Sequence, residues 1–165
     1  MQKRSKVAIV MGSDSDLPTM NEAAKILKEY GVEYDVRILS AHRSPDDTAK
    51  FAKSARAKGI SVIIAGAGGA AHLAGVIASH TTLPVIGVPM ETRELKGIDS
   101  LLSTLQMPSG VPVATVAIGK TGAKNAGILA LQILGIADRR IAKKMDNLKR
   151  SLVESVRSKN RSCKS

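Results

Sequence analysis

Short apolar runs that stop at glycine, each followed by a helix-forming segment, constrain this chain more than any other feature. Lys6–Met11 reads Lys-Val-Ala-Ile-Val-Met and ends at Gly12. Such a β-branched run without polar alternation is the pattern of a strand buried on both faces. Asp16 and Pro18 then supply an N-cap and an early helical proline. Met20, Ala23, Ala24, Ile26 and Leu27 follow at helical spacing until Gly31 ends the helix. A second strand is expected over residues 34–39. Ser44 caps the next helix, with Pro45, Asp46 and Asp47 in its first turn, and that helix runs to about residue 58. Further strands are expected over 60–65, over 84–88 and within 111–118. Helices are expected over 71–80, 97–106, 121–134 and 138–158, the last with frayed final residues.

Alternating strands and helices of this kind form an α/β fold, an open parallel five-stranded sheet covered on both faces. The expected architecture is three-layer αβα, flavodoxin-like, with strand order 2-1-3-4-5 and a C-terminal helix. Its 165 residues can bury a core without disulfide or metal staples. Residues 1–138 read as one α/β unit, and residues 139–165 as a basic helix and tail belonging to it. In such sheets ligands sit beyond the carboxyl ends of the strands, at the switch point between strands one and three.

Composition narrows the function classes. The net charge is +11, but Lys and Arg outnumber Asp and Glu by only 15 to 12 through residue 138, against 10 to 2 beyond it. The excess is thus mostly a property of the tail, which reads as a solvated basic face. Aromatics make up 2% of the chain, Tyr30, Tyr34 and Phe51, too few for the stacking platforms of a nucleic-acid reader. No nucleic-acid partner is expected. No apolar run reaches the ~18 residues that span a bilayer. The apolar stretch behind the basic start is too short for a signal peptide. Cys163 is the one cysteine, so no intramolecular disulfide can form. The chain reads as cytoplasmic, without a membrane partner.

Three loops follow the first three strands, and order 2-1-3 sets them side by side. The first, Gly12-Ser13-Asp14-Ser15-Asp16, opens a helix. Its free N–H groups and the Ser13 and Ser15 hydroxyls suit an anion; a plain cap and turn fits the same residues. Asp16 would repel a phosphate at contact, so it caps the helix or binds sugar hydroxyls. The second, Ser40-Ala41-His42-Arg43-Ser44-Pro45, pairs an imidazole able to move a proton near neutral pH with a guanidinium able to hold a phosphate or carboxylate. A structural histidine beside a surface arginine is the plainer alternative. The third, residues 66–72, is nearly free of side chains and could close over a flat ring or a carboxylate. It is not a dinucleotide fingerprint, and Gly119-Lys120-Thr121-Gly122 is not a phosphate-binding P-loop. His72 and His80 lack metal-ligand spacing, and His80 reads as structural. These residues alone imply a small phosphorylated metabolite bound without metal or nucleotide cofactor.

The full strings say more. Val7-Ala-Ile-Val-Met-Gly-Ser-Asp-Ser-Asp16, Ser40-Ala-His-Arg-Ser-Pro45, Ala65-Gly-Ala-Gly-Gly-Ala-Ala-His-Leu73, Leu83-Pro-Val-Ile-Gly-Val-Pro89 and the stretch from Asp99 to Gly119 closely resemble the N5-carboxyaminoimidazole ribonucleotide mutases of purine biosynthesis. The resemblance runs from about residue 7 to residue 134. It implies an isomerase that moves a carboxylate from the exocyclic nitrogen to ring carbon C4, without ATP, biotin or metal, on the route to IMP. By the same resemblance His42 is the acid–base residue. Ser13 and Arg43 hold the 5′-phosphate, with Ser15 beside them, and Asp16 holds the ribose. Ser40, Ala41, Gly68, Gly69, His72 and Leu73 surround the imidazole and its carboxylate. Leu17 stands where many members carry an aromatic residue, and Ala74 where many carry proline. The resemblance implies a homo-octamer, with the labile carbamate passed on by an ATP-dependent synthase. The alternatives are an aminoimidazole ribonucleotide carboxylase that uses free CO2, and a non-catalytic module for a phosphorylated ligand.

Overall fold

A computed structural model describes residues 6–163; the basic start and the last two residues lie outside it. Its strands are β1 (Lys6–Met11), β2 (Glu33–Ile38), β3 (Ile60–Ala67), β4 (Val85–Pro89) and β5 (Ala114–Thr115). Its helices are α1 (Leu17–Glu29), α2 (Pro45–Ser54), α3 (Leu73–Ser79), α4 (Ile98–Leu105), α5 (Gly119–Gly135) and α6 (Arg139–Ser162). The sheet is parallel in the order β2-β1-β3-β4-β5, as the alternating pattern implies.

The two faces of β1 explain its unbroken apolar run. Val7, Ile9 and Met11 enter a core shared with α1, α5 and the start of α6. Ala8 and Val10 enter a second core with α2 and α3. A strand covered on both sides has no face left for polar residues. At Gly66 in β3 an added Cβ would lie 2.6 Å from both Met20 Sδ and Met90 Cε, so these methionines press against bare backbone. At Gly87 in β4 an added Cβ would lie 2.4 Å from Thr104 Cγ2, which shows how closely α4 lies over that strand.

Several boundaries differ from the expected ones. Helix α2 stops at Ser54, four residues early. The chain tightens through turns to Gly59, at φ 82°, and Ile60 N–H donates back to Ala55 O as β3 begins. Ser44 precedes α2, but its side chain makes no cap bond. Its Oγ instead accepts from Ser40 N–H and donates to Ser40 O, closing the loop before the helix. Strand β5 keeps only two residues, because Pro112 beside it cannot donate to a ladder. Helix α6 is longer than expected and reaches Ser162.

The first turns of α6 pack Ile141, Met145 and Leu148 onto the α1/α5 core, while every residue from Lys149 to Cys163 is exposed. Asp138 fixes where the helix starts. Its carboxylate accepts from Arg140 N–H at 2.9 Å and from the Arg140 guanidinium, which pulls its pKa down to about 2. A folded pKa below the ordinary 3.8 means that the added stability is present above about pH 4 and is lost as pH falls toward 2. The thermal midpoint of Asp138→Ala should therefore fall below wild type at pH 7, and the gap should close near pH 2.

Candidate functional site

The register of the sheet brings the three loops together. Met11 pairs with Ile38 on one side and with Gly66 on the other. Gly12 N–H donates to Gly66 O, and Leu39 N–H to Met11 O. Three strands therefore end at one level, and the chains leaving them enclose a cleft of about 360 Å³. Ser13, Ser15, Asp16, Ser40, Ala41, His42, Arg43, Gly68, His72 and Leu73 all line it, joined by Gly12, Ala67 and Ala70. Gly69 stands one step back, with its N–H bonded to Ser100 Oγ at 2.9 Å. His80 ends α3, outside the cleft.

Each loop is braced internally. In the first, Ser13 rather than Asp16 supplies the cap. Ser13 Oγ accepts from Ser15 N–H at 3.3 Å and from the Ser15 hydroxyl at 2.9 Å, setting a single 3-10 turn over Asp14–Asp16. Asp16 makes no side-chain cap bond to α1, so of its two expected roles capping falls away. In the second loop Ser40 Oγ accepts from Arg43 N–H at 3.1 Å, while Thr48, fully buried, donates to Ser40 O and Ser44 O. The third turns back at Gly69, where φ is 66°, a conformation glycine adopts at little cost.

The loops are also tied to one another. Arg43 Nη2 donates to Gly12 O at 2.7 Å, bridging the first and second. His42 Nε2 and His72 Nδ1 are 2.9 Å apart with the rings edge-on at 84°, bridging the second and third. One of those nitrogens must donate and the other accept, so the contact fixes complementary tautomers. Both rings are exposed at the cleft mouth. Among the described residues, no group of three or more His, Cys, Asp or Glu could hold a metal ion.

Burial raises the Asp16 pKa above the ordinary 3.8; hydrogen bonds from the Ser13 backbone and the Ser15 side chain oppose it, and Asp14 adds to it. A folded pKa above the unfolded one means the ionised carboxylate costs stability, and the cost grows as pH rises through the folded value. Asp16→Asn is expected to raise the thermal midpoint of the ligand-free protein at pH 7. The gain should vanish below about pH 3.8, where both forms are neutral.

Sequence reasoning passed over Ser100, Ser103 and Thr104, which hold the third loop from α4. The available signal was three hydroxyls at i, i+3 and i+4 on one face of a leucine-rich helix.

The comparisons agree with this architecture. The model of the AIR carboxylase family matches residues 6–155. An N5-carboxyaminoimidazole ribonucleotide mutase of Thermotoga maritima is 59% identical over 151 residues, covering 92% of this chain and 87% of the relative. The Bacillus subtilis protein of the same name is 56% identical over 153 residues, covering 90% and 94%. The crystal structure of Treponema denticola PurE superposes with a TM-score of 0.85 at 30% identity, covering 94% of this chain and 96% of that one. No helix among the described residues is long and apolar enough to cross a membrane. With the match running from the first residue of β1 well into α6, the chain belongs to the AIR carboxylase family.

Proposed function

We propose that this chain is an N5-carboxyaminoimidazole ribonucleotide mutase. It moves the carboxylate of 5-(carboxyamino)imidazole ribonucleotide from the exocyclic nitrogen to ring carbon C4. The observation that carries the reading is 59% identity over 92% of the chain to a protein of that name.

The cleft supports a route with balanced protons. A proton delivered to the exocyclic nitrogen breaks the N–C bond of the carbamate and leaves CO2 beside an electron-rich aminoimidazole. The ring carbon then attacks that CO2, and the proton on the carbon must leave. His42 can give the first proton and take the second, ending unchanged as an isomerase requires. Its contact with His72 Nδ1 holds the ring in place for both steps. Arg43, already braced against Gly12 O, faces the 5′-phosphate together with Ser13 and Ser15. Asp16, excused from capping, accepts from the ribose hydroxyls. Ser40, Ala41 and the loop carrying Gly68, Gly69, His72 and Leu73 surround the imidazole.

The family's own description, AIR carboxylase, favours a second reading in which free CO2 and aminoimidazole ribonucleotide are the substrates. One experiment separates them. Purified protein is given the N-carboxylated nucleotide without bicarbonate, and separately aminoimidazole ribonucleotide with CO2. Rapid conversion of the first alone supports the mutase. Conversion of the second alone makes the chain a carboxylase. Conversion of neither leaves a binding module.

The remaining parts of the reading are a cytoplasmic place on the route to IMP, a homo-octamer, and receipt of the labile carbamate from an ATP-dependent synthase. Self-association is supported by Leu95, in the turn before α4, and by Ile98, Leu102 and Leu105 on the helix, each at least half exposed. Light scattering on the full chain tests it. The start of α6 packs on the α1/α5 core, which supports including residues 139–165 in the same unit.

A further inference from the structure

The third loop is held from behind. Gly68, Ala70 and His72 line the cleft, whereas Gly69 and Ala71 between them do not. The backbone of those two residues bonds to α4 instead. Gly69 N–H donates to Ser100 Oγ at 2.9 Å and Ala71 N–H to Ser103 Oγ at 3.2 Å. Ser103 Oγ in turn donates to Gly69 O at 2.9 Å and is shared with Asp99 O. One hydroxyl therefore grips the turn at both ends. Ser100 is fully buried, and Thr92, bonded to Asp99 Oδ1 and to Gly97 N–H, pins the start of the helix that carries them. Helix stability does not account for these hydroxyls, since serine and threonine are neutral to poor in helix interiors.

We infer that Ser100 and Ser103 are positioning residues for carboxylate transfer, acting through the loop they hold. The inference rests on the mutase reading. Between the two steps of that reaction CO2 is bonded to nothing, and only the walls of the cleft keep it beside the ring carbon. Residues 66–71 carry no side chain larger than a methyl group, so this wall has little stiffness of its own. Its rigidity comes from α4. The same turn carries His72, whose Nδ1 meets His42 Nε2. Loosening the clamp both opens a path for CO2 and shifts the acid–base pair.

The test compares wild type, Ser103→Ala, Ser103→Thr and Gln106→Ala, the last an exposed side chain at the end of the same helix. Three quantities are read with the N-carboxylated nucleotide as substrate: kcat, KM, and the share of enzyme-consumed substrate released as free aminoimidazole ribonucleotide. In Ser103→Ala, kcat is expected to fall about tenfold or more, as small misplacements do. KM should stay within about threefold, because Arg43, Ser13, Ser15 and Asp16, assigned to the phosphate and ribose, lie on the other two loops. The decarboxylated share should rise several-fold. Ser103→Thr should restore both kcat and the share, and Gln106→Ala should change neither. Should Ser103→Ala fail to fold, Ser103→Cys, which leaves no void and weakens the hydrogen bond, carries the same expectation. A Ser103 variant that loses kcat and thermal stability without releasing more aminoimidazole ribonucleotide overturns the inference, as does one with unchanged kinetics. A wild-type protein that does not isomerise the substrate overturns the mutase reading, and the inference with it.

Discussion

His42→Asn is expected to lower kcat for the isomerisation by about 10²–10⁴-fold, the usual contribution of a general acid–base residue. Asparagine keeps a polar group near His72 but cannot give and retake a proton near neutral pH. Both bond changes in the proposed route need that proton, one to release the exocyclic nitrogen and one to free the ring carbon. His42 is exposed and makes no core contact, so the thermal midpoint should match wild type. Arg43, Ser13 and Asp16 are untouched, so substrate binding measured by calorimetry should persist. A variant that retains kcat within tenfold would remove His42 from the chemistry. A variant that loses binding along with kcat would recast it as a binding residue.

The largest expected effect on stability lies far from the cleft. An added Cβ at Gly122 would fall 1.6 Å from Ala117 O and 2.6 Å from Ala117 C. Both atoms are backbone, at the bend where the chain enters α5, so no rotamer change can relieve the clash. Gly122 is buried, and α5 contributes Ala123, Ala126, Ala130, Leu131 and Leu134 to the larger core. Gly122→Ala must therefore displace either the bend or the helix. The cost should reach about 3 kcal/mol or more, the upper end for overpacking. For a chain of this size that corresponds to roughly 6–12 °C in the thermal midpoint. Gly12→Ala is the matched control, since an added Cβ there meets nothing within 4 Å. Its midpoint should stay near that of wild type. Equal midpoints for the two variants would show that the bend at Ala117 yields freely.

The parts legible in the sequence were those set by short-range pattern. The run at residues 6–11 could only be a doubly buried strand, and glycines 12 and 31 marked where elements stop. Once the strand order followed, the three loops had to converge, and ten of the eleven residues singled out line one cleft. What escaped was decided by competing partners, some a few residues away and some thirty. Ser44 and Asp16 both occupy cap positions by spacing, yet neither caps its helix. Ser40 claims the Ser44 hydroxyl, and Ser13 takes over the first turn. Gly69 looked like part of the lining because its neighbours are, but Ser100, 31 residues away, turns its amide from the cleft. The shortness of β5 follows from its place at the sheet edge beside a proline, and the pattern of 111–118 does not reveal that.

The floor beneath the cleft is made of sulfur. Met11, Met20 and Met90 share one core, and the last two press on Gly66 directly below the lining residues Ala67 and Gly68. Thioethers are soft and fill irregular space well, which suits a support under bare backbone. They are also oxidisable, and a sulfoxide there would put a polar group into a dry interior. Met11 and Met20 are fully buried and Met90 nearly so, so peroxide reaches them only when the core opens. Resistance to oxidative inactivation is then a property of the closed fold rather than of the residues. The rate at which these three methionines oxidise would report how often the ground under the cleft gives way.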